Sequence, residues 1–191
     1  MMTKKQYWYE ALVGGTIVGV VAVAFSILLT LMGGTTAEPS IAVKAVNFLS
    51  VFVNITLLFG LTRRFSAKHT LEEGFSFGRG LGFVVAMMIF AGVISGIYSS
   101  VMANYFIKAE VLSSVDQIMA QLQDYYPAEQ FDSLYTTMQK AVINPVYLTL
   151  SSVISNCFTG ALVGLFVGFL TRRRPDIFAD TTNGDNTFNQ Q

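Results

Sequence analysis

From Leu81 to Phe106 the chain carries no charged side chain. Residues 11–32 and 146–170 share that character, and residues 41–61 break it once, at Lys44 near the start of the run. About 20 consecutive apolar residues, each rising about 1.5 Å, cross a hydrocarbon core of about 30 Å. In that medium every backbone amide must be satisfied within the chain, and long apolar runs without two-residue alternation do this as helices. Four such runs point to an all-α polytopic membrane protein with four transmembrane helices. Composition agrees where it bears on this: 52% of the 191 residues are hydrophobic and 13% are charged, against about 25% charged in ordinary soluble proteins. Cleavage of the first run as a signal peptide is the competing reading, with Lys4 and Lys5 ahead of it and Thr35-Thr36-Ala37 as a cleavage site. The run is longer than the usual apolar core of about 7–15 residues, so a retained span is expected.

Small residues recur at helical spacing inside these runs. Gly15, Gly19, Ala22, Ser26 and Thr30 form one face of the first, and Gly78, Gly82, Gly92, Gly96, Ser100 and Ala103 one face of the third. In the fourth, Thr149, Ser152, Asn156, Gly160 and Gly164 continue to Gly168. Such faces let helix backbones approach closely in lipid. The expected packing residues are therefore Gly15, Gly19, Gly78, Gly82, Gly92, Gly96, Gly160, Gly164 and Gly168. In the second run Asn47, Ser50 and Asn54 share a face. Amides are costly in hydrocarbon, so that face is expected to look into the bundle. Interhelical hydrogen bonding is the ordinary role there. A polar path lined by Asn47, Asn54 and Asn156 is the functional alternative.

The segments between the runs are polar. Thr70 and Glu73 match a capping box, T-x-x-E, which starts a helix ahead of the third span. One straight helix from Leu71 to Phe106 would be roughly 54 Å long, so a bend near Gly80–Gly82 or a projection into the cytoplasm is expected. In residues 107–144, Val111, Val115, Ile118, Leu122 and Tyr125 alternate steps of three and four, Pro127 interrupts, and Phe131, Leu134, Tyr135, Met138 and Val142 resume the pattern. That is an amphipathic helical hairpin, with Asp116, Asp124, Glu129 and Asp132 on its solvated face. Asn144-Pro145 marks a boundary or kink before the fourth span. Residues 1–174 form a single membrane domain, and residues 175–191, polar and without apolar period, read as a disordered cytoplasmic tail.

Cations set the orientation. Lys4, Lys5, Arg63, Arg64, Lys68, Arg79, Arg172, Arg173 and Arg174 fall on one side, and only Lys44, Lys108 and Lys140 on the other. The positive-inside rule then places both termini in the cytoplasm and the hairpin in the opposite, extracytoplasmic compartment.

Catalytic constellations are missing. No Gly-Lys-Ser/Thr phosphate loop occurs, and no strand precedes the Gly78-Arg79-Gly80-Leu81-Gly82 run, so a dinucleotide site is not expected. No carboxylate or histidine falls within residues 11–32, 41–61, 81–106 or 146–170, and proton-coupled carriers keep such groups at mid-membrane. Glu72 and Glu73 sit at a helix start, where negative charge is favoured. Cys157 and His69 are each the only residue of their type, which leaves no disulfide and no metal set. Cys157 in an apolar run reads as a small buried hydrophobe. A net charge of zero argues for no nucleic-acid partner.

The chain resembles the DUF4199 family of small integral membrane proteins, found mainly in Bacteroidota, whose function is unassigned. The likeness covers about residues 5–174. It rests on the four spans, on Phe75-Ser76-Phe77-Gly78-Arg79-Gly80-Leu81-Gly82 at the start of the third, on the polar helical insert after Tyr105, and on the glycine-ridged last span ending in Arg172-Arg173-Arg174. The family often places Asn-Pro after the third span. Here Ile107-Lys108-Ala109-Glu110 stands there, and Asn144-Pro145 precedes the fourth. The resemblance implies a bacterial inner (cytoplasmic) membrane location and carries over no catalytic residue. The expected function is a non-enzymatic structural or partner-binding membrane component, without cofactor or metal, whose partners are the lipid bilayer and a membrane protein or further copies of itself. A small transporter or channel subunit acting as an oligomer is the alternative.

Overall fold

A computed structural model describes residues 4–33, 40–68 and 74–173. Four long helices carry the architecture: α1 (Lys4–Leu31), α2 (Ile41–Ala67), α3 (Phe77–Val101) and α6 (Pro145–Thr171). Two shorter ones, α4 (Lys108–Leu122) and α5 (Ala128–Ile143), lie between α3 and α6. Among the described residues the only extended pairing is an isolated bridge between Phe75 and Arg173. The four long helices are each long and apolar enough to cross a membrane. Their outer surfaces are apolar too, with Phe48, Phe52, Ile97, Phe158, Phe166 and Phe169 exposed. A surface of that kind is unsuited to water and suited to lipid. The protein is a multi-pass, all-helical membrane protein.

Local chemistry fixes where the helices begin. Ser40 caps α2 by accepting from the Val43 amide, and Ser76 caps α3 by accepting from the Arg79 amide. The Asn144 side chain accepts from Val146 and Tyr147, with Pro145 at the first helical position, where its missing N–H costs nothing. Asn144-Pro145 is thus a boundary rather than a kink. The expected capping box, Thr70 and Glu73, and the tail at 175–191 lie outside the described residues. The expected bend near Gly80–Gly82 is corrected in position: Gly74 takes a left-handed φ of 59°, and Phe75 pairs with Arg173. The chain turns there, so α3 starts only at Phe77 and then runs unbroken through Gly80 and Gly82. The first span also starts earlier than expected, at Lys4, which brings Glu10 into the helix.

α3 is the spine. Half of its most apolar window is buried, against 22% or less for each of the other three spans. It packs most extensively on α6 and next on α1. Gly80 meets Gly168, Gly92 meets Val153 and Gly96 meets Thr149, so α3 and α6 run antiparallel. Gly15 meets Met87 and Phe90, and Gly19 meets Ala91 and Ile94, so α1 and α3 run parallel. The start of α1, the end of α2, the start of α3 and the end of α6 therefore share one end of the bundle. That end is stitched together by the Phe75–Arg173 backbone pair (3.0 and 2.9 Å) and by the Ser66 hydroxyl, which donates to the Thr171 carbonyl (3.3 Å).

At the other end α3 loosens into a π-helical turn, Met102–Phe106. Asn104 holds it: its amide donates to the Ser100 carbonyl (2.9 Å) and to the Ile143 carbonyl at the end of α5 (3.0 Å). In α4, Val115 and Met119 are buried while Ile118 is exposed, as is Tyr125 just beyond the helix, so the buried stripe is rotated from the one the spacing predicts. Tyr135 on α5 donates to the Asp116 carboxylate on α4 (2.7 Å).

Candidate functional site

Of the three amides proposed as a polar path, Asn47 stands outside the bundle. Asn47 is exposed, on a part of α2 whose neighbours Phe48, Leu49, Val51 and Phe52 are exposed as well. The expectation that its face looks into the bundle is corrected at this position. The reason is that α2 joins the core mainly through its last third, at Leu58, Thr62, Phe65 and Ser66. Asn54 donates to the Ser50 carbonyl and Asn156 to the Ser152 carbonyl, both at 2.8 Å and both within their own helix. The Asn54 Oδ1 atom is buried without a hydrogen-bond partner. Asn156 packs its Cβ toward Gly92.

The glycines divide differently from the stripes read in sequence. At Gly15, Gly92, Gly96 and Gly160 an added Cβ would come within 3.0 Å of a neighbouring helix, and at Gly164 within 3.0 Å of the Leu81 side chain. At Gly19 and Gly168 it would come to 3.1 Å. Gly78 and Gly82 are corrections. A Cβ on Gly78 meets nothing within 4 Å, and one on Gly82 meets only the Tyr7 hydroxyl at 3.7 Å. Gly80, half a turn away, is the residue at the α6 contact. Gly14, also missed, abuts the Met87 side chain. α3 turns two sides to two neighbours, so one straight stripe could not describe it.

The feature with chemical potential lies at the stitched end. A crevice of about 190 Å³ opens between α1, α2 and α3, lined by Glu10, Val13, Gly14, Ile17, Leu61, Arg64, Phe65, Lys68 and Phe83. Its floor is aromatic: Phe65 and Phe83 stack at 3.9 Å with planes 5° apart, and Tyr7 meets both edge-on. Its rim is charged, with Lys68 and Glu10 forming an ion pair across α2 and α1. Both side chains are partly exposed, 44% and 31%. Arg64, one turn before Lys68 on α2, also lines the crevice and is exposed, without an ion-pair partner among the described residues. The sequence alone does not reveal this grouping, because Glu10 falls outside the uncharged run of the first span and the cations that share its crevice stand 54 and 58 positions on. The heptad-like step from Tyr7 to Gly14, which lays Tyr7 and Glu10 on one face of a helix begun at Lys4, was the available signal.

A second surface lies on the outer side of α6. Tyr147, Leu150, Ser151, Ile154, Ser155, Phe158 and Thr159 line a shallow exposed groove. Ser151, Ser155 and Thr159 recur every fourth residue inside an otherwise apolar span. Cys157 is half-buried and unpaired. Among the described residues no group of three or more His, Cys, Asp or Glu side chains is placed to hold a metal ion.

Comparison with known proteins gives one match. A family model described as "Protein of unknown function (DUF4199)" covers residues 14–173. No curated protein and no solved structure matches significantly. The match takes in α2 to α6 whole and most of α1, including the glycines that seat α3 against its neighbours, and on that extent the chain belongs to the DUF4199 family.

Proposed function

We propose that the protein is a non-enzymatic, partner-binding component of the bacterial inner membrane, with both termini in the cytoplasm. The observation that carries this reading is the outer groove of α6. Three hydroxyl side chains, Ser151, Ser155 and Thr159, face outward along a membrane span in the way small and polar residues face a second helix. The exposed amide of Asn47 on α2 adds to it, since an amide in hydrocarbon calls for a partner. Orientation rests on charge. Lys4, Lys5, Arg63, Arg64, Lys68, Arg79, Arg172 and Arg173 gather at the stitched end, against Lys44, Lys108 and Lys140 toward the other. A transporter or channel subunit is the weaker reading, because Asn47 is exposed outside the bundle and the Asn54 and Asn156 amides each donate within their own helix.

Photo-crosslinking groups at Ser151 and Ser155 test the proposal in native membranes. Both positions should yield the same discrete protein adduct, and a group at the exposed apolar Phe166 should not. Adducts at all three positions alike, or at none, would remove the partner face. Solute flux by purified protein in liposomes, lost on Asn47→Leu with Asn54→Leu, would replace this reading with the transporter.

A further inference from the structure

The geometry of the crevice between α1, α2 and α3 points to a phosphate-binding site: we propose that it holds the headgroup phosphate of an anionic phospholipid, with an acyl chain lying along the seam between α1 and α2.

Charge is the first argument. Two cations, Arg64 and Lys68, share the rim with one carboxylate, Glu10. Glu10 is engaged by Lys68, which leaves Arg64 as a cation of the lining with no ion-pair partner among the described residues. A guanidinium presents a planar fork of donors that matches phosphate oxygens in pairs. Above the crevice the chain adds further cations and, among the described residues at that end, no second carboxylate.

Shape is the second argument. Below the rim the walls are wholly apolar, formed by Val13, Gly14, Ile17, Leu61 and the Phe65–Phe83 stack. Val13 and Ile17 are 37% and 41% exposed, so the crevice opens sideways onto the lipid-facing surface of α1. The packing of α1 on α2 is much slighter than that of α1 on α3, so the boundary between α1 and α2 below the opening is the weaker one. A volume of about 190 Å³ suits a phosphate group and its ester oxygens rather than a whole lipid, so the tails must leave through that side opening. A free phosphate ion would use the rim and ignore the seam. An anionic phospholipid uses both, which decides between the two sources of the same chemistry.

Native mass spectrometry of the detergent-purified full chain tests this, with phosphatidylglycerol, phosphatidylcholine and inorganic phosphate as separate probes. Phosphatidylglycerol should be retained over phosphatidylcholine. Arg64→Gln should lower that retention about fivefold, while Arg63→Gln, next along α2 but not in the crevice, should leave it within about twofold. Glu10→Gln should raise it, because it releases Lys68 toward the anion. Ile17→Trp should block the seam and lower lipid retention without changing the response to phosphate. Circular dichroism melts of each variant separate loss of the site from loss of the fold. Equal retention by Arg64→Gln and Arg63→Gln, or a fall on Glu10→Gln in a folded protein, would overturn the site. Displacement of lipid by inorganic phosphate together with no effect of Ile17→Trp would overturn the lipid assignment.

Discussion

Single residues decide how closely these helices approach. A Cβ on Gly96 would sit 2.6 Å from the Thr149 Cα, a backbone atom that moves only if α6 moves. One on Gly60 meets nothing within 4 Å. Gly96→Ala should therefore destabilise the protein by about 1–3 kcal/mol, the usual cost of overpacking. Gly60→Ala should be neutral or stabilise by up to about 1 kcal/mol through helix propensity alone. Reversible unfolding in mixed micelles compares them, and equal effects would mean that α3 and α6 are not in this contact. A glycine stripe in sequence identifies a face that could be approached. Which glycines are approached depends on what stands opposite, and that is why Gly80 meets α6 while Gly78 does not.

At the scale of elements, α4 and α5 form a unit whose contact can be titrated. The Asp116 carboxylate accepts from the Tyr135 hydroxyl, and this hydrogen bond, with lesser contributions from burial and from the nearby negative charge, raises the tyrosine above its ordinary pKa of 10.0. The folded form holds the proton more tightly than the unfolded chain. The contribution of the contact to stability is thus fully present below about pH 10 and is lost as the pH climbs through the raised value. Ultraviolet difference titration of the protein against Asp116→Asn should show a tyrosine step that moves down toward the ordinary range in the variant. An unchanged curve would mean that the two helices do not meet at this pair. The amphipathic spacing of residues 107–144 was legible in sequence. The rotation that buries Met119 in place of Ile118 was not, because periodicity gives an apolar sector and only the neighbour selects its centre.

The whole molecule is a spine with two close companions and one looser helix. α3 is enclosed by α1 and α6, and α2 joins through its last third. The stitched end is basic and holds the crevice; the opposite end carries the π turn and the α4–α5 pair. Reporter fusions at Gln123 and after Arg174 should fall on opposite sides of the membrane, and signals from the same side would contradict four spans. By itself the sequence determined that this chain is helical and that it has four helices long and apolar enough to cross a membrane. Those properties follow from run length, from the absence of charge, and from backbone hydrogen bonds that apolar surroundings leave no alternative to. Tertiary structure alone decided that Asn47 faces outward, that Gly80 and not Gly78 or Gly82 meets α6, and that Glu10, Arg64 and Lys68 share one rim. Each of those depends on the rotation of one helix against another, and a pattern that repeats along a single helix says nothing about the side its neighbour takes.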